Sequence, residues 1–220
     1  MLLLLAVAFL IGSMMQEQLG ISFSAEGLQD FRGWVQGLGW LGPGAFVLLV
    51  VFRLFIGLSS HIVLILGGLA FGVTGGVVWG CVGLFVSALV LYYLAQLFGV
   101  GWVERRFGEQ HTFMLERVKR VGALAIFAIT AHPVGLLTPA HLAAGVVDLG
   151  VARYSVAVAL AAPIRTAPYV FLGTAILDLT LVQSLAIGGV MMVVFVVPLL
   201  SPKVRGWMWG SENGNEEKDR

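Results

Sequence analysis

Residues 74–98, TGGVVWGCVGLFVSALVLYYLAQLF, run for 25 positions without one charged side chain. A second such run, LVQSLAIGGVMMVVFVVPLL, fills residues 181–200. About 20 apolar residues in a helix cross the ~30 Å hydrocarbon core of a bilayer. Only helices and closed barrels satisfy every backbone N–H and C=O inside lipid, so these runs constrain the chain more than any motif does. The remaining sequence agrees with them: it is 59% hydrophobic and 11% charged over 220 residues, where a soluble domain carries about a quarter charged. The expected fold class is an all-α integral membrane protein.

The N-terminal MLLLLAVAFLIGSMM reads as a short first membrane helix, because no positive n-region precedes it and no A-x-A site follows. At ~1.5 Å per residue it reaches only ~22 Å, so it sits where the bilayer is thin or the native start lies upstream. Leu28, Phe31, Trp34, Val35 and Leu38 then recur at helical spacing, with Asp30, Arg32 and Gln36 elsewhere on the turn. That pattern predicts an amphipathic helix lying in the interface. In the run 74–98, Gly76 with Gly80 and Gly83 with Ser87 make small-xxx-small pairs suited to close helix packing. Residues 151–173 form a further span, interrupted by Pro163, Arg165 and Pro168.

Two apolar regions, 43–72 and 121–147, are long enough to span, yet each is broken in its middle, by GLSSH and by HPVGLLTP. Non-helical backbone survives at membrane depth only where protein or water surrounds it. Two re-entrant hairpins, each entering and leaving by one face, fit better than two bent spans. If the N-terminus is cytoplasmic and the hairpins enter from opposite sides, Arg105, Arg106, Arg117, Lys119, Arg120, Lys203, Arg205, Lys218 and Arg220 lie inside and only Arg32 outside, nine against one. The positive-inside rule asks for that asymmetry. Gly57, Ser60, Gly67 and Gly72 also recur 78 residues later as Gly135, Thr138, Gly145 and Gly150, as expected of an inverted repeat with a midplane site.

The predicted plan is therefore a first helix and interfacial segment (1–40) and a central domain (41–175). That domain comprises a hairpin (41–73), a span (74–98), a cytoplasmic loop (99–120), a hairpin (121–148) and a span (150–173). A last helix (176–202) and a polar cytoplasmic tail (203–220) follow. It holds about four spanning helices and two opposed hairpins.

The breaks carry the candidate chemistry. Thr138 followed by Pro139 is a helix start, with an N-cap oxygen and a proline at the first position; Ser59 or Ser60 caps the other returning arm in the same way. Each arm then presents free N–H groups and partial positive charge, which attract anions and phosphate in particular. Arg53 and Arg165 add full charges. An arginine near the bilayer centre costs at least ~2.5–3.5 kcal/mol, so it faces protein or a wet cavity. Arg165 has no acid within residues 151–173 to pair with, so it is expected to point to the hairpin tips, near Ser60 or Thr138. His61, His132 and His141 flank the breaks and are candidates for binding an anionic head group or carrying protons; each is equally readable as a buried histidine bonded to backbone. Gly57, Gly67, Pro133, Gly135, Pro139 and Gly145 are the expected structural residues of the hairpins.

No HExxH or phosphate-cradling loop is present and the histidines lack i, i+4 spacing, so neither an enzyme, a metal site nor a cofactor is expected. The one cysteine, Cys81, excludes an intramolecular disulfide. The expected partners are the membrane and an anionic lipid, with no nucleic acid. A carrier for a small inorganic anion or metal ion, and a structural membrane protein, are the alternatives.

Residues 40–175 resemble the VTT-domain family, also called the DedA or SNARE-associated Golgi protein superfamily. The resemblance lies in LSSHIVLILGGLAFGVTGGVVWGCVGLFVSALVLYYLAQLFG with WVERR, in HPVGLLTPAHLAAGV, and in APIRTAPYVFLG. It implies two opposed re-entrant hairpins in a bacterial inner membrane or an organelle membrane, and movement of phospholipids or polyprenyl-phosphate carriers. Pro133 and Gly145 match the family's second-hairpin motif. Thr130 stands where that motif has arginine and Leu136 where it has a second proline. No acid lies between residues 41 and 73, where some bacterial branches carry one, so carboxylate-based proton coupling is not expected; Arg165 is the candidate replacement for the missing hairpin charge.

Overall fold

A computed structural model describes residues 25–53, 58–132, 137–178 and 189. The short first helix, most of the last helix and tail, and Gly57, Pro133 and Gly135 lie outside the described residues. Among those described, all regular structure is helical: α1 (Ala25–Gly37), α2 (Leu41–Phe52), α3 (Ser60–Val121), α4 (Ala123–Ala131), α5 (Leu137–Val147) and α6 (Val151–Asp178).

The amphipathic segment is α1. Val35 is buried and Phe31 and Leu38 are half-buried, while Trp34 faces outward. The axes of α1 and α2 bend by 109°, and Trp34, Trp40 and Leu41 are exposed around that corner. Tryptophans so placed suit a membrane–water interface.

Helix α3 is one helical run of 62 residues but not one rod. Gly72 and Gly99 within it have φ of +69° and +74°, a state glycine reaches without a Cβ penalty. A Cβ on Gly76 would lie 2.9 Å from the Gly67 carbonyl, and one on Gly80 would lie 3.0 Å from Leu64. Positions 64 and 80 of a straight helix stand ~24 Å apart, so the chain folds back at Gly72. The stretch Ser60–Val103, which holds an 18-residue window of mean hydropathy 2.1, would otherwise be a ~66 Å rod, twice the membrane's thickness. Folding leaves residues 60–71 as an arm beside α2 and residues 73–98 as a full-length apolar helix of ~39 Å. Val151–Ala175 of α6, which holds an 18-residue window of mean hydropathy 1.5, is the other helix able to cross; the bent pair α1–α2 adds a third if counted as one span.

The second break falls between α4 and α5. His132 ends α4 in extended backbone, φ −74° and ψ 130°. The following proline explains this, because its ring disfavours helical backbone in the residue before it. Pro139 lies in the first turn of α5, which begins at Leu137 rather than at Pro139 and so takes Thr138 inside the helix. Asp148 (φ +52°) and Gly150 (φ +83°) then reverse the chain into α6.

Helix 73–98 is the common wall. The 60–71 arm runs against it, 67 beside 76 and 64 beside 80. Helix α5 runs along it: Leu137 clusters with Leu84 and Gly145 abuts Tyr92 and Ala95. Close backbone approach joins the 60–71 arm to α6, where a Cβ on Gly68 would overlap the Val170 carbonyl and one on Gly173 that of Ile65. Gly76 and Gly80 meet Val170 and Thr166 of α6, and Gly83 meets Val50 of α2. On α6, Tyr154, Val158, Ala161 and Arg165 are buried while Val156, Leu160 and Ile164 are exposed on the opposite face. An exposed aliphatic stripe on a span is a lipid-facing surface.

Residues 99–120, expected as a loop, are helical. Met114 and Val118 pack into the main core beside Ala125, Ile126, Tyr154 and Val158. That burial gives an otherwise charged segment one apolar face, enough to hold it as helix.

Candidate functional site

Arg165 is 1% exposed, and its guanidinium lies between the two breaks. Nη1 donates to the carbonyl of His132, at the end of α4. Nη2 donates to Ser60 Oγ, at the start of α3, over 3.3 Å, and lies 3.4 Å from His61 Nε2. The side chain thus reaches both hairpin tips, and its expected neighbour Ser60 is among its partners.

Local sequence builds each contact. Ser59 is the N-cap of α3, extended at φ −67° and ψ 137°, and its hydroxyl accepts from the His61 N–H. With Ser59 capping, Ser60 is left to face Arg165. His61 Nδ1 lies 2.9 Å from Ser59 Oγ, and its ring packs 4.8 Å from that of Tyr169. The His132 carbonyl is available because the chain leaves helical backbone there. Pro163 and Pro168 are accommodated within a continuous α6, so the arginine's acceptors come from the hairpins rather than from unwound turns of its own helix.

Arg53 is the second buried charge, 6% exposed at the end of α2, and it repels Arg165 electrostatically. Neither arginine has a carboxylate partner among the described residues. Arg53 Nε, Arg165 Nε, Thr130 Oγ1 and Thr166 Oγ1 are buried without a hydrogen-bond partner there. A region with two cations, unused donors and only neutral acceptors is electrostatically incomplete: charge-assisted bonds to an anion are roughly twice as strong as neutral ones. The arrangement can therefore exchange a serine hydroxyl and a peptide carbonyl for phosphate oxygens.

The other expected residues divide. Ser60, His61 and His132 converge on Arg165. Thr138 is half-buried and Pro139 buried in the first turn of α5. Gly67 is pressed against Phe46, and Gly145 against Tyr92 and Ala95. His141 lies elsewhere, buried with Nδ1 2.8 Å from Tyr154 Oη. Tyr154 donates its one hydroxyl proton to the Ala88 carbonyl at 2.8 Å, so His141 Nδ1 carries the proton of that bond. No group of three or more His, Cys, Asp or Glu suited to a metal occurs among the described residues.

Sequence reasoning missed a second polar cluster. Asp148 Oδ1 accepts from Tyr92 Oη and from Gln96 Nε2, both at 3.0 Å, and the Tyr92 and Tyr154 rings stack at 4.6 Å. The available signal was an aspartate two residues before Gly150, at the end of an apolar run.

Arms that reverse at Gly72 and Gly150, and a helix beginning at the SSH break, fill a region that a known family describes. The family model for the VTT domain matches residues 58–175, 118 of the 220. The chain belongs to the VTT-domain family. The match begins at the first hairpin's returning arm and ends within α6, so both breaks' returning arms and Arg165 lie inside the VTT domain. No curated protein and no solved structure matches the chain significantly. With its lipid-facing stripe and two apolar spans, this VTT-domain chain is an integral membrane protein.

Proposed function

We propose that the protein moves phospholipid or another anionic lipid, such as a polyprenyl phosphate, across the bilayer through a polar site between two opposed re-entrant hairpins. The observation that carries this reading is Arg165, buried without a carboxylate partner among the described residues and bonded to both hairpin tips. A lipid phosphate supplies the missing negative charge, and no covalent bond changes in the step.

The inverted-repeat element of the proposal draws support from direction. Measured against helix 73–98, the returning arm 60–71 is antiparallel and the returning arm α5 parallel, so the arms oppose each other. The 78-residue offset that relates Gly72 to Gly150 also carries helix 73–98 onto 151–176, nearly the whole of α6. The expected setting is the bacterial inner membrane, as the family resemblance implies.

Lipid transport by purified protein in liposomes containing a fluorescent phospholipid tests the proposal. Arg165→Met is expected to lower transport about tenfold or more, and Arg165→Lys less, since lysine keeps charge but loses the bidentate fork. Wild-type rates from a correctly inserted Arg165→Met would overturn it. Phosphate or chloride flux without lipid movement would favour the small-anion carrier instead.

A further inference from the structure

At the far end of α5 a cavity of about 590 Å³ opens between helix 73–98, the 100–121 segment and the Asp148 turn. Its polar lining consists of Gln96, Lys119 and Asp148, and Gly99 and Gly145 contribute bare backbone. Asp148 is held there at some cost, since φ of +52° is unusual for a side chain other than glycine's. Its Oδ1 is fixed by Tyr92 and Gln96, while Oδ2 makes no hydrogen bond among the described residues. Lys119 lines the same cavity without forming an ion pair to Asp148.

A cation and an oriented anion that share one cavity unpaired make a dipolar receptor. We propose that this cavity binds the phosphoethanolamine head group of a phospholipid, with Lys119 on the phosphate and Asp148 Oδ2 on the ammonium. The N–H donors of a primary ammonium suit a carboxylate oxygen. A quaternary ammonium has none and is recognised by aromatic cages, and among the described residues no aromatic side chain lines this cavity. Anionic lipid head groups without an amine leave Asp148 unanswered and repelled. The basic residues Arg117, Lys119 and Arg120 set the cavity beside a charged segment at the end of the apolar helix 73–98, where a head group would lie if that helix spans the bilayer. The inference rests on the lipid-handling reading for its purpose, but the binding it describes does not depend on Arg165.

The test is binding of short-chain lipids to the purified full-length protein in detergent. Phosphatidylethanolamine is expected to bind about tenfold tighter than phosphatidylcholine or phosphatidylglycerol, the difference one charge-assisted bond makes. Asp148→Asn should erase the preference, and it keeps the fold because asparagine tolerates this backbone and its oxygen still accepts from Tyr92 and Gln96. Lys119→Gln should weaken phosphatidylethanolamine and phosphatidylcholine alike. Equal binding of the two lipids by wild type, or an unchanged preference in Asp148→Asn, overturns the inference. Soluble glycerophosphoethanolamine should compete poorly; competition as strong as the lipid's would make the ligand a soluble compound and overturn the lipid assignment. Arg165→Met should retain the preference, which separates this outcome from failure of the transport reading.

Discussion

The hydroxyl of Tyr154 shows how much a buried polar atom can hold in place. It satisfies the Ala88 carbonyl of one helix and His141 of another while its ring stacks on Tyr92. Tyr154→Phe keeps the ring but leaves the His141 imidazole N–H buried without its partner, while the Ala88 carbonyl keeps only its intrahelical bond, a loss of about 1–3 kcal/mol. Thermal unfolding in detergent should show a lower midpoint. Ser60→Ala is a different case: Arg165 keeps the His132 carbonyl, so transport should fall less than in Arg165→Met. A larger fall than in Arg165→Met would make the hydroxyl, not the guanidinium, the lipid's main contact.

Among the elements, the two reversals and the glycine contacts make separable demands. Gly72→Ala has room, its nearest neighbour being Arg32 Nη2 at 3.7 Å, but must hold φ of +69°, at about 1–2 kcal/mol. Gly145 has ordinary backbone but would drive a Cβ into the Tyr92 carbonyl. Gly145→Val is therefore expected to reduce the yield of folded protein, measured by size-exclusion chromatography, far more than Gly72→Ala. These elements were partly legible in sequence. Ser-Ser and His-Pro breaks act through local backbone chemistry, and their places in the chain show it. The echo of Gly72 in Gly150 was visible for the same reason, since only special residues turn a chain so sharply. The helix at 99–120 was not legible: its charges resemble a loop, and its stability comes from Met114 and Val118 meeting partners distant in sequence. The separation of His141 from the other histidines, and the tie from Asp148 to Tyr92, likewise depend on tertiary contacts that no local spacing encodes.

At the scale of the whole molecule, nine-to-one charge asymmetry predicts how the chain is threaded. In a Cys81→Ala background, Gly108→Cys and Gly210→Cys should react with an impermeant thiol reagent from the cytoplasmic face, and Gly27→Cys from the other. Reaction of Gly27→Cys and Gly108→Cys from one side would overturn the opposed hairpins. Arg165 has a last consequence here. A passage for lipid heads that stood permanently open would short-circuit the membrane, letting sodium ions and protons run down their gradients. The Arg165 guanidinium ties both tips together with the protein's own side chain, and its fixed positive charge repels small cations. On the proposed reading, a phosphate passes by taking over the bonds that close the gap, whereas a cation has nothing to offer them. On that reading one side chain both admits the lipid and preserves the voltage.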